Sequence, residues 1–152
     1  MMVAKGIGGG FPLGAVLAKE NAASGMTAGT HGSTYGGNPL GCSIGLKVMD
    51  IISDPNFLYD VNRKAKLFHD GLLELLKKNT SIFEEVRGKG LMLGLKCKVK
   101  NIDVVNAAYS NKLLTVPAGD NVVRLLPPLT ISDKDIIEAL NKLDGVMTAL
   151  SQ

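Results

Sequence analysis

The chain has 152 residues, of which 45% are hydrophobic, 20% charged and 5% aromatic, and its formal net charge is +3. This composition is typical of a globular protein with one compact domain, or with one domain and part of another. The lysines are scattered and no apolar run is long enough to span a bilayer, so we expect no nucleic-acid partner and no membrane partner.

Residues 1–37 are predicted to form short strands and long loops. Glycines crowd into stretches 6–14 and 25–45, where the backbone needs positive φ angles or a close approach to a neighbour. In chain order we predict the end of a buried strand at 1–4, a turn-rich loop at 6–13, a strand at 15–18 and a polar loop at 25–37. A domain rarely begins inside a buried strand, so we expect a segment upstream of residue 1.

Two helix starts follow, each marked by a capping residue and a proline. Asn38-Pro39 predicts a helix that runs to about residue 52, with Asn as the N-cap and Pro at the first helical position. Gly41 and Gly45 on this helix would let a neighbour pack closely. Asp54-Pro55 repeats the signal and predicts a longer helix.

The rest of the chain predicts a small α+β domain. The second helix carries an apolar stripe at three- and four-residue steps, formed by Val61, Ala65, Phe68, Leu72, Leu75 and Leu76. Strands are expected at 83–90, 91–98, 113–116 and 122–126, with a helix at 102–111. Residues 132–135 resemble a capping box for a last helix, whose apolar face would comprise Ile136, Ile137, Leu140, Leu143 and Met147. We place the domain boundary near residue 58.

The two cysteines, Cys42 and Cys97, lie far apart and form no metal-spaced set, so we expect no metal site. Residues 1–10 lack the layout of a signal peptide. We therefore expect free thiols and a cytoplasmic protein.

One candidate catalytic residue is Lys5, which ends the first predicted strand and is followed at once by Gly6-Ile7-Gly8-Gly9-Gly10. A lysine held at the edge of a site can form a Schiff base with a carbonyl compound. Taken alone, the same pattern also fits a surface lysine beside a glycine loop. A generic phosphate- or nucleotide-binding loop is weakly supported, because the spacing matches neither the dinucleotide fingerprint nor a Walker loop.

A second candidate is the segment 29–39, which places three hydroxyls, the His31 imidazole and several unhindered backbone amides before a helix N-terminus. Such donors at the positive end of a helix dipole suit an anionic phosphate. A polar surface loop with a capped helix explains the segment equally well. For His31 itself, a hydrogen bond that orders the loop is favoured over a catalytic role.

Taken together, these segments resemble one protein family. The Lys5 glycine loop, the run HGSTYGGNPLG at 31–41, VRGKGLM at 86–92 and VRLLPPLTI at 123–131 are similar, in this order, to fold-type I aminotransferases of class III. Within class III they look most like acetylornithine and ornithine aminotransferases. The resemblance covers nearly the whole chain, and four ordered motifs are more specific than any one of them.

The resemblance implies roles for four residues. Lys5 aligns with the lysine that holds pyridoxal 5'-phosphate covalently and moves a proton between substrate and cofactor. Ser33 and Thr34 align with residues that bind the cofactor phosphate of the partner subunit, which implies a homodimer. Arg124 aligns with the arginine that pairs with a substrate carboxylate; its alternative is a surface ion pair beside a Pro-Pro turn.

The resemblance also implies a fold and a reaction. Residues 1–58 would be the edge of a large α/β cofactor-binding domain with the Schiff-base lysine and the phosphate loop, and residues 59–152 the small C-terminal α+β domain. The reaction would be transamination between N-acetylornithine or ornithine and 2-oxoglutarate, giving a semialdehyde and glutamate in arginine biosynthesis. The family's carboxylate for the pyridine nitrogen would precede Lys5. The alternative is therefore a non-catalytic fragment, or a split subunit that needs a separate N-terminal half.

Overall fold

The computed structural model describes residues 1–150. The chain separates into two compact units, one comprising Met1–Leu58 and the other beginning at Tyr59. The two units are described in turn.

The first unit begins with a two-stranded antiparallel sheet. Strand β1 (Met2–Ala4) pairs with β2 (Gly14–Val16), with Met2 opposite Val16 and Ala4 opposite Gly14. A single 3₁₀ turn, Lys5–Gly8, follows β1 directly. The predicted strand at 15–18 is therefore real, but it begins one residue earlier and ends two residues earlier.

Two helices follow in this unit, the short α1 (Glu20–Ala23) and the longer α2 (Pro39–Ile52). The Asn38 Oδ1 accepts a hydrogen bond from the Gly41 N–H at 2.8 Å, which confirms the predicted N-cap. Gly41 and Gly45 are buried, and a Cβ added at Gly45 would lie 2.9 Å from the Leu13 Cδ2. The predicted close approach to α2 is thus made by Leu13 of the glycine-rich loop.

The first unit has almost no interior of its own. Among residues 1–58 the fully buried positions are all glycines, at 8, 41 and 45. Large apolar side chains on β1, β2 and α2 stay exposed, including Met2, Val16, Leu40, Leu46 and Met49. Burial of apolar surface is the main stabilising contribution to a fold, so little of it holds this unit together.

The second unit combines helices with a four-stranded antiparallel sheet. Helix α3 (Pro55–Lys78) starts in the last residues of the first unit and lies mostly in the second, where it precedes strands β3 (Phe83–Lys89) and β4 (Met92–Cys97). Helix α4 (Asn101–Ser110) follows. Strands β5 (Val116–Ala118) and β6 (Val122–Leu125) then precede α5 (Asp133–Leu150). The strand order is β3-β4-β6-β5.

A continuous apolar core fills the space between these helices and one face of the sheet. Side chains alternate along a strand, so Leu93 and Leu95 of β4 and Val123 and Leu125 of β6 face this core together. Its largest fully buried side chains are Phe83, Leu72, Ile82, Leu95, Ile136, Leu143, Met147, Val104, Val123 and Val146. This unit has the interior that the first unit lacks.

The bounds of α2, α3, α4 and α5 agree with the sequence predictions to within about one residue, whereas the short α1 was not predicted. Two further details also differ. Strand β5 spans Val116–Ala118 rather than 113–116, because it pairs with β6 across a turn at 119–121. Its Pro117 is compatible with a strand because β5 lies at the edge of the sheet. Ile137 is 51% exposed and does not join the apolar face of α5, whereas Val146 is fully buried there.

Two caps predicted from the sequence are present. The Asp54 Oδ1 accepts from the Asn56 N–H at 2.7 Å at the start of α3. At the start of α5 the Ser132 Oγ accepts from the Asp135 N–H at 3.1 Å. Within residues 1–150, no helix combines the length and the apolar character that a membrane crossing requires.

Candidate functional site

Lys5 lies at the junction of β1 and the 3₁₀ turn, with an exposed side chain. Its backbone has φ +59°, in the left-handed region that non-glycine residues rarely adopt. This conformation costs about 1–2 kcal/mol. Within the described residues the amine makes no hydrogen bond or ion pair, so it is free for chemistry.

The structure brings the glycine-rich loop and the 29–39 segment together around an open cavity of about 260 Å³. One wall is the turn at 12–14. The other wall contains Ser33, Tyr35 and Asn38, with Cys42 from the first turn of α2. The cavity therefore lies at the N-terminus of a 14-residue helix, where the backbone N–H groups carry partial positive charge.

Backbone hydrogen bonds hold the loop that carries Ser33 and Thr34. The Gly36 N–H donates to the Ser33 carbonyl at 3.2 Å, and the Asn38 Nδ2 donates to the Tyr35 carbonyl at 2.9 Å. The side-chain hydroxyls of Ser33 and Thr34 are exposed and have no partner among residues 1–150. Both can donate to an added anion.

His31 is also exposed. It makes no hydrogen bond to the described part of the chain, so the expected loop-ordering bond is not found there. No role is assigned to this imidazole.

Arg124 lies on β6 in the second unit, between the buried Val123 and Leu125. Alternation therefore places its side chain on the sheet face opposite the core, and the side chain is exposed. In the sheet, Arg124 is paired with Gly94 of β4 on one side and with Val116 of β5 on the other.

The other two arginines of the chain are both neutralised. The Arg63 Nη1 and Nη2 donate to the two Asp133 carboxylate oxygens at 2.8 and 2.7 Å. The Arg87 Nη2 donates to the Asp120 Oδ2 at 2.6 Å. Within residues 1–150, Arg124 has no carboxylate partner, so the alternative of a surface ion pair is not observed. It is the arginine available to an external carboxylate.

A polar network at the β5–β6 turn had not been expected from the sequence. Asp120 joins Arg87 of β3 to Lys96 of β4, and these cations lower the pKa of the Asp120 carboxyl, with Lys96 as the larger cause. The neighbouring Asn121 side chain forms hydrogen bonds with the carbonyls of Cys97 and Val99, at and just after the end of β4, and with the Asn101 N–H at the start of α4. Asp120 and Asn121 both have positive φ, and the signal for them was the Gly-Asp-Asn run between two apolar stretches.

The two cysteines differ in exposure, and only Cys42 borders the cavity. Cys42 is exposed and Cys97 is buried, and both are free thiols as predicted. Burial raises the pKa of the Cys97 thiol to about 11, which keeps it protonated. Among the described residues, no three His, Cys, Asp or Glu side chains are grouped as a metal site would require.

Comparison with known proteins connects these features. The family model for class-III aminotransferases matches residues 1–147. The chain is 63% identical over 150 residues to the acetylornithine aminotransferase of Rhodobacter capsulatus, covering 99% of this chain and 38% of that protein. It is 48% identical over 151 residues to the acetylornithine aminotransferase of Agrobacterium fabrum, again covering 99% and 38%.

Solved structures agree with the sequence comparison. An ornithine aminotransferase from Toxoplasma gondii, described with partial occupancy of pyridoxal phosphate at its active site, superposes with a TM-score of 0.87 at 28% identity. It covers 99% of this chain and 36% of that one. The N-acetylornithine aminotransferase of Stenotrophomonas maltophilia gives 0.83 at 31% identity, covering 98% and 39%. The expected fold, a portion of a fold-type I transferase, is confirmed.

The chain spans somewhat over a third of the length of the curated relatives it matches. In the first unit, the free amine of Lys5 and the free hydroxyls of Ser33 and Thr34 near the N-terminus of α2 are groups whose chemistry is compatible with pyridoxal phosphate. On the match over residues 1–147, this chain belongs to the class-III aminotransferases, a family that depends on pyridoxal phosphate, and it is similar to acetylornithine and ornithine aminotransferases.

Proposed function

We propose that this chain supplies the lysine, the phosphate loop and a carboxylate-binding arginine of a pyridoxal-phosphate-dependent aminotransferase. The reaction is transfer of the amino group of N-acetylornithine, or of ornithine, to 2-oxoglutarate, giving a semialdehyde and glutamate, in arginine biosynthesis. The observation that carries the proposal is the family match over residues 1–147, which includes an unpartnered Lys5 in a strained turn. Residues 1–58 are the edge of the large domain, and residues from 59 on are the small domain.

Lys5 is proposed to hold the cofactor through its Nζ and, once released by the incoming amine, to carry a proton between substrate carbon and cofactor. The bound cofactor supplies an electron sink for the bond-breaking step. Lys5 suits the proton transfer because its amine stands free at the start of a turn followed by four glycines within six residues. A lysine tied into an ion pair would first have to break that pair.

Ser33 and Thr34 are proposed to donate hydrogen bonds to the cofactor phosphate. Their free hydroxyls, and the backbone amides of the 29–39 segment they belong to, make an anion-binding surface near the N-terminus of α2, where Ser33 borders the cavity. By the family resemblance this phosphate belongs to the partner subunit, so we propose a homodimer. The exposed apolar side chains of the first unit support burial against further polypeptide.

Arg124 is proposed to bind a substrate carboxylate. A guanidinium can give two parallel hydrogen bonds to the two carboxylate oxygens, which fixes both the position and the orientation of the substrate. The absence of an internal partner for Arg124, in contrast to Arg63 and Arg87, supports this role.

The alternative is a fragment that turns nothing over unless a separate N-terminal half completes it. It is favoured by the lack of an apolar interior among residues 1–58 and by the short span relative to the relatives. No described residue has been identified as the carboxylate for the pyridine nitrogen. We further propose a cytoplasmic location, which two free thiols support.

The test is glutamate formation from 2-oxoglutarate and N-acetylornithine in the presence of pyridoxal phosphate. The chain is assayed alone and mixed with the N-terminal portion of the Rhodobacter capsulatus relative. We expect glutamate in the mixture, lost in Lys5→Ala and retained in Lys19→Ala, a matched exposed lysine. No glutamate in either sample would support the non-catalytic alternative.

A further inference from the structure

Strand β6, which carries Arg124, is too short and too uniformly apolar to fix its own register. It has four residues, and Arg124 is flanked by two apolar residues on each side. A slip of one residue would turn Arg124 into the core, and a slip of two would move it about 7 Å along the sheet. In one direction, a slip of two would put Leu125 and Pro127, both apolar, into the core-facing positions now held by Val123 and Leu125, so the hydrophobic pattern opposes this slip weakly.

Asn121, the residue directly before β6, supplies the missing constraint. Its Nδ2 donates to the carbonyls of Cys97 and Val99, at 2.7 Å each, and its Oδ1 accepts from the Asn101 N–H at 2.8 Å. Its backbone carbonyl also accepts from the Cys97 N–H at 3.0 Å. These four bonds attach one end of β6 to the end of β4 and to the first residue of α4.

Asn101 completes the clamp from the helix side. Its Nδ2 donates to the carbonyls of Ala118 and Val122, at 3.0 Å each. These two residues face each other where the β5–β6 pair meets its turn. The two asparagines therefore hold both strands of the hairpin; every bond has ordinary length, and both side chains are half-buried.

The backbone at Asn121 adds a second requirement. Its φ is +54°, and asparagine tolerates this left-handed conformation better than other residues with a side chain. Glycine would satisfy the conformation but could make none of the three side-chain hydrogen bonds. The two contributions of Asn121, conformation and register, can therefore be separated by substitution.

We infer that Asn121, supported by Asn101, is a positioning residue for the carboxylate site: it sets the register of β6 and thereby places the Arg124 guanidinium. This inference rests on the proposed function of Arg124. It predicts that loss of the Asn121 amide weakens carboxylate binding in molecules that remain folded, which a purely stabilising role would not do.

The test uses the full chain, ¹⁵N-labelled, with 2-oxoglutarate as the probe. Binding is followed on the Arg124 Nε–H signal, and register is read from NOEs between Gly94 and Arg124, which are paired in the sheet. For Asn121→Gly we expect these NOEs to disappear and Kd to rise about ten- to a hundredfold. Asn79→Ala, which removes one hydrogen bond to the Leu75 carbonyl at the end of α3, is the control and should leave both unchanged.

The outcomes separate the two claims. If Arg124→Gln abolishes binding while Asn121→Gly only lowers the unfolding midpoint, the proposed role of Arg124 stands and the inference is wrong. If the unaltered chain does not bind 2-oxoglutarate, or Arg124→Gln changes nothing, the role of Arg124 fails and the inference fails with it. Should Asn121→Gly not fold, Asn101→Asp, which removes the two donors to Ala118 and Val122, is read by the same two signals.

Discussion

Two glycines in the β3–β4 hairpin should respond very differently to the same substitution. Gly88 has φ +131°, and a Cβ added there would collide with the Met92 carbonyl oxygen, which is backbone and cannot rotate away. Gly90 has φ +60°, and a Cβ added there meets nothing within 4 Å. Alanine at Gly90 therefore carries only the cost of the left-handed conformation, about 1–2 kcal/mol.

In Gly88→Ala the cost of the positive φ angle adds to the collision with the Met92 carbonyl. The collision can be relieved only if the pairing at the end of β3 and β4 opens. We expect Gly88→Ala to cost about 3 kcal/mol or more. For a domain of roughly 100 residues, 1 kcal/mol shifts the unfolding temperature by about 4–8 °C, so the two variants should differ by about 4 °C or more. Thermal unfolding followed by far-UV circular dichroism measures this. Equal losses in the two variants would refute the steric reasoning.

Three further predictions concern the second unit. On α5, Leu143→Ala removes a fully buried side chain and should cost about 2–5 kcal/mol in urea unfolding, whereas Ile137→Ala, half exposed, should change little; comparable losses would contradict the core described above. The Arg63 guanidinium lowers the pKa of Asp133, so this pair stabilises the fold above the unfolded pKa and its contribution is lost as pH falls through the folded pKa. Arg63→Gln should therefore flatten the decline in urea midpoint between about pH 5 and pH 2, and an unaltered decline would disprove the linkage. At pH 8 a disulfide-exchange reagent should label the exposed Cys42 thiol rapidly and the buried Cys97 thiol only when the protein unfolds. Rapid labelling of both thiols would show that Cys97 is not protected.

The four long helices could be predicted from the sequence because their signals are local, whereas the four-residue α1 was missed. Asn38-Pro39 and Asp54-Pro55 each combine a capping side chain with a proline, and both mark the true start of a helix. The apolar stripe of α3 likewise follows from helical geometry alone. These features need no knowledge of the rest of the fold.

The misplaced strand and the missed network depend on partners distant in sequence. β5 is defined by its pairing with β6, and Pro117 fits a strand there because β5 lies at the edge of the sheet, a position that the sequence alone does not reveal. Ile137 fitted the apolar pattern of α5, but only the packed core shows that Val146 fills the face instead. The Asn121 clamp reaches across more than 20 residues, so the turn was visible in sequence but its bonds were not.

The site was predictable to the extent that a family resemblance carries residue roles. Composition and spacing alone left Lys5 as a surface lysine and Arg124 as an ion-paired arginine. The structure adds that both side chains are without partners in the described part of the chain, and that Ser33 borders a cavity with the glycine-rich loop. Their roles in binding cofactor and substrate stay predictions.

The most direct test of the central claim is to locate the cofactor on the chain. The purified chain is incubated with pyridoxal phosphate, the bound cofactor is fixed by borohydride reduction, and peptides are mapped by mass. We predict the label on Lys5, with its loss in Lys5→Ala and its persistence in Lys19→Ala. Label spread over Lys19, Lys47 and other exposed lysines, or no label at all, would contradict the assignment of Lys5 as the cofactor-binding lysine.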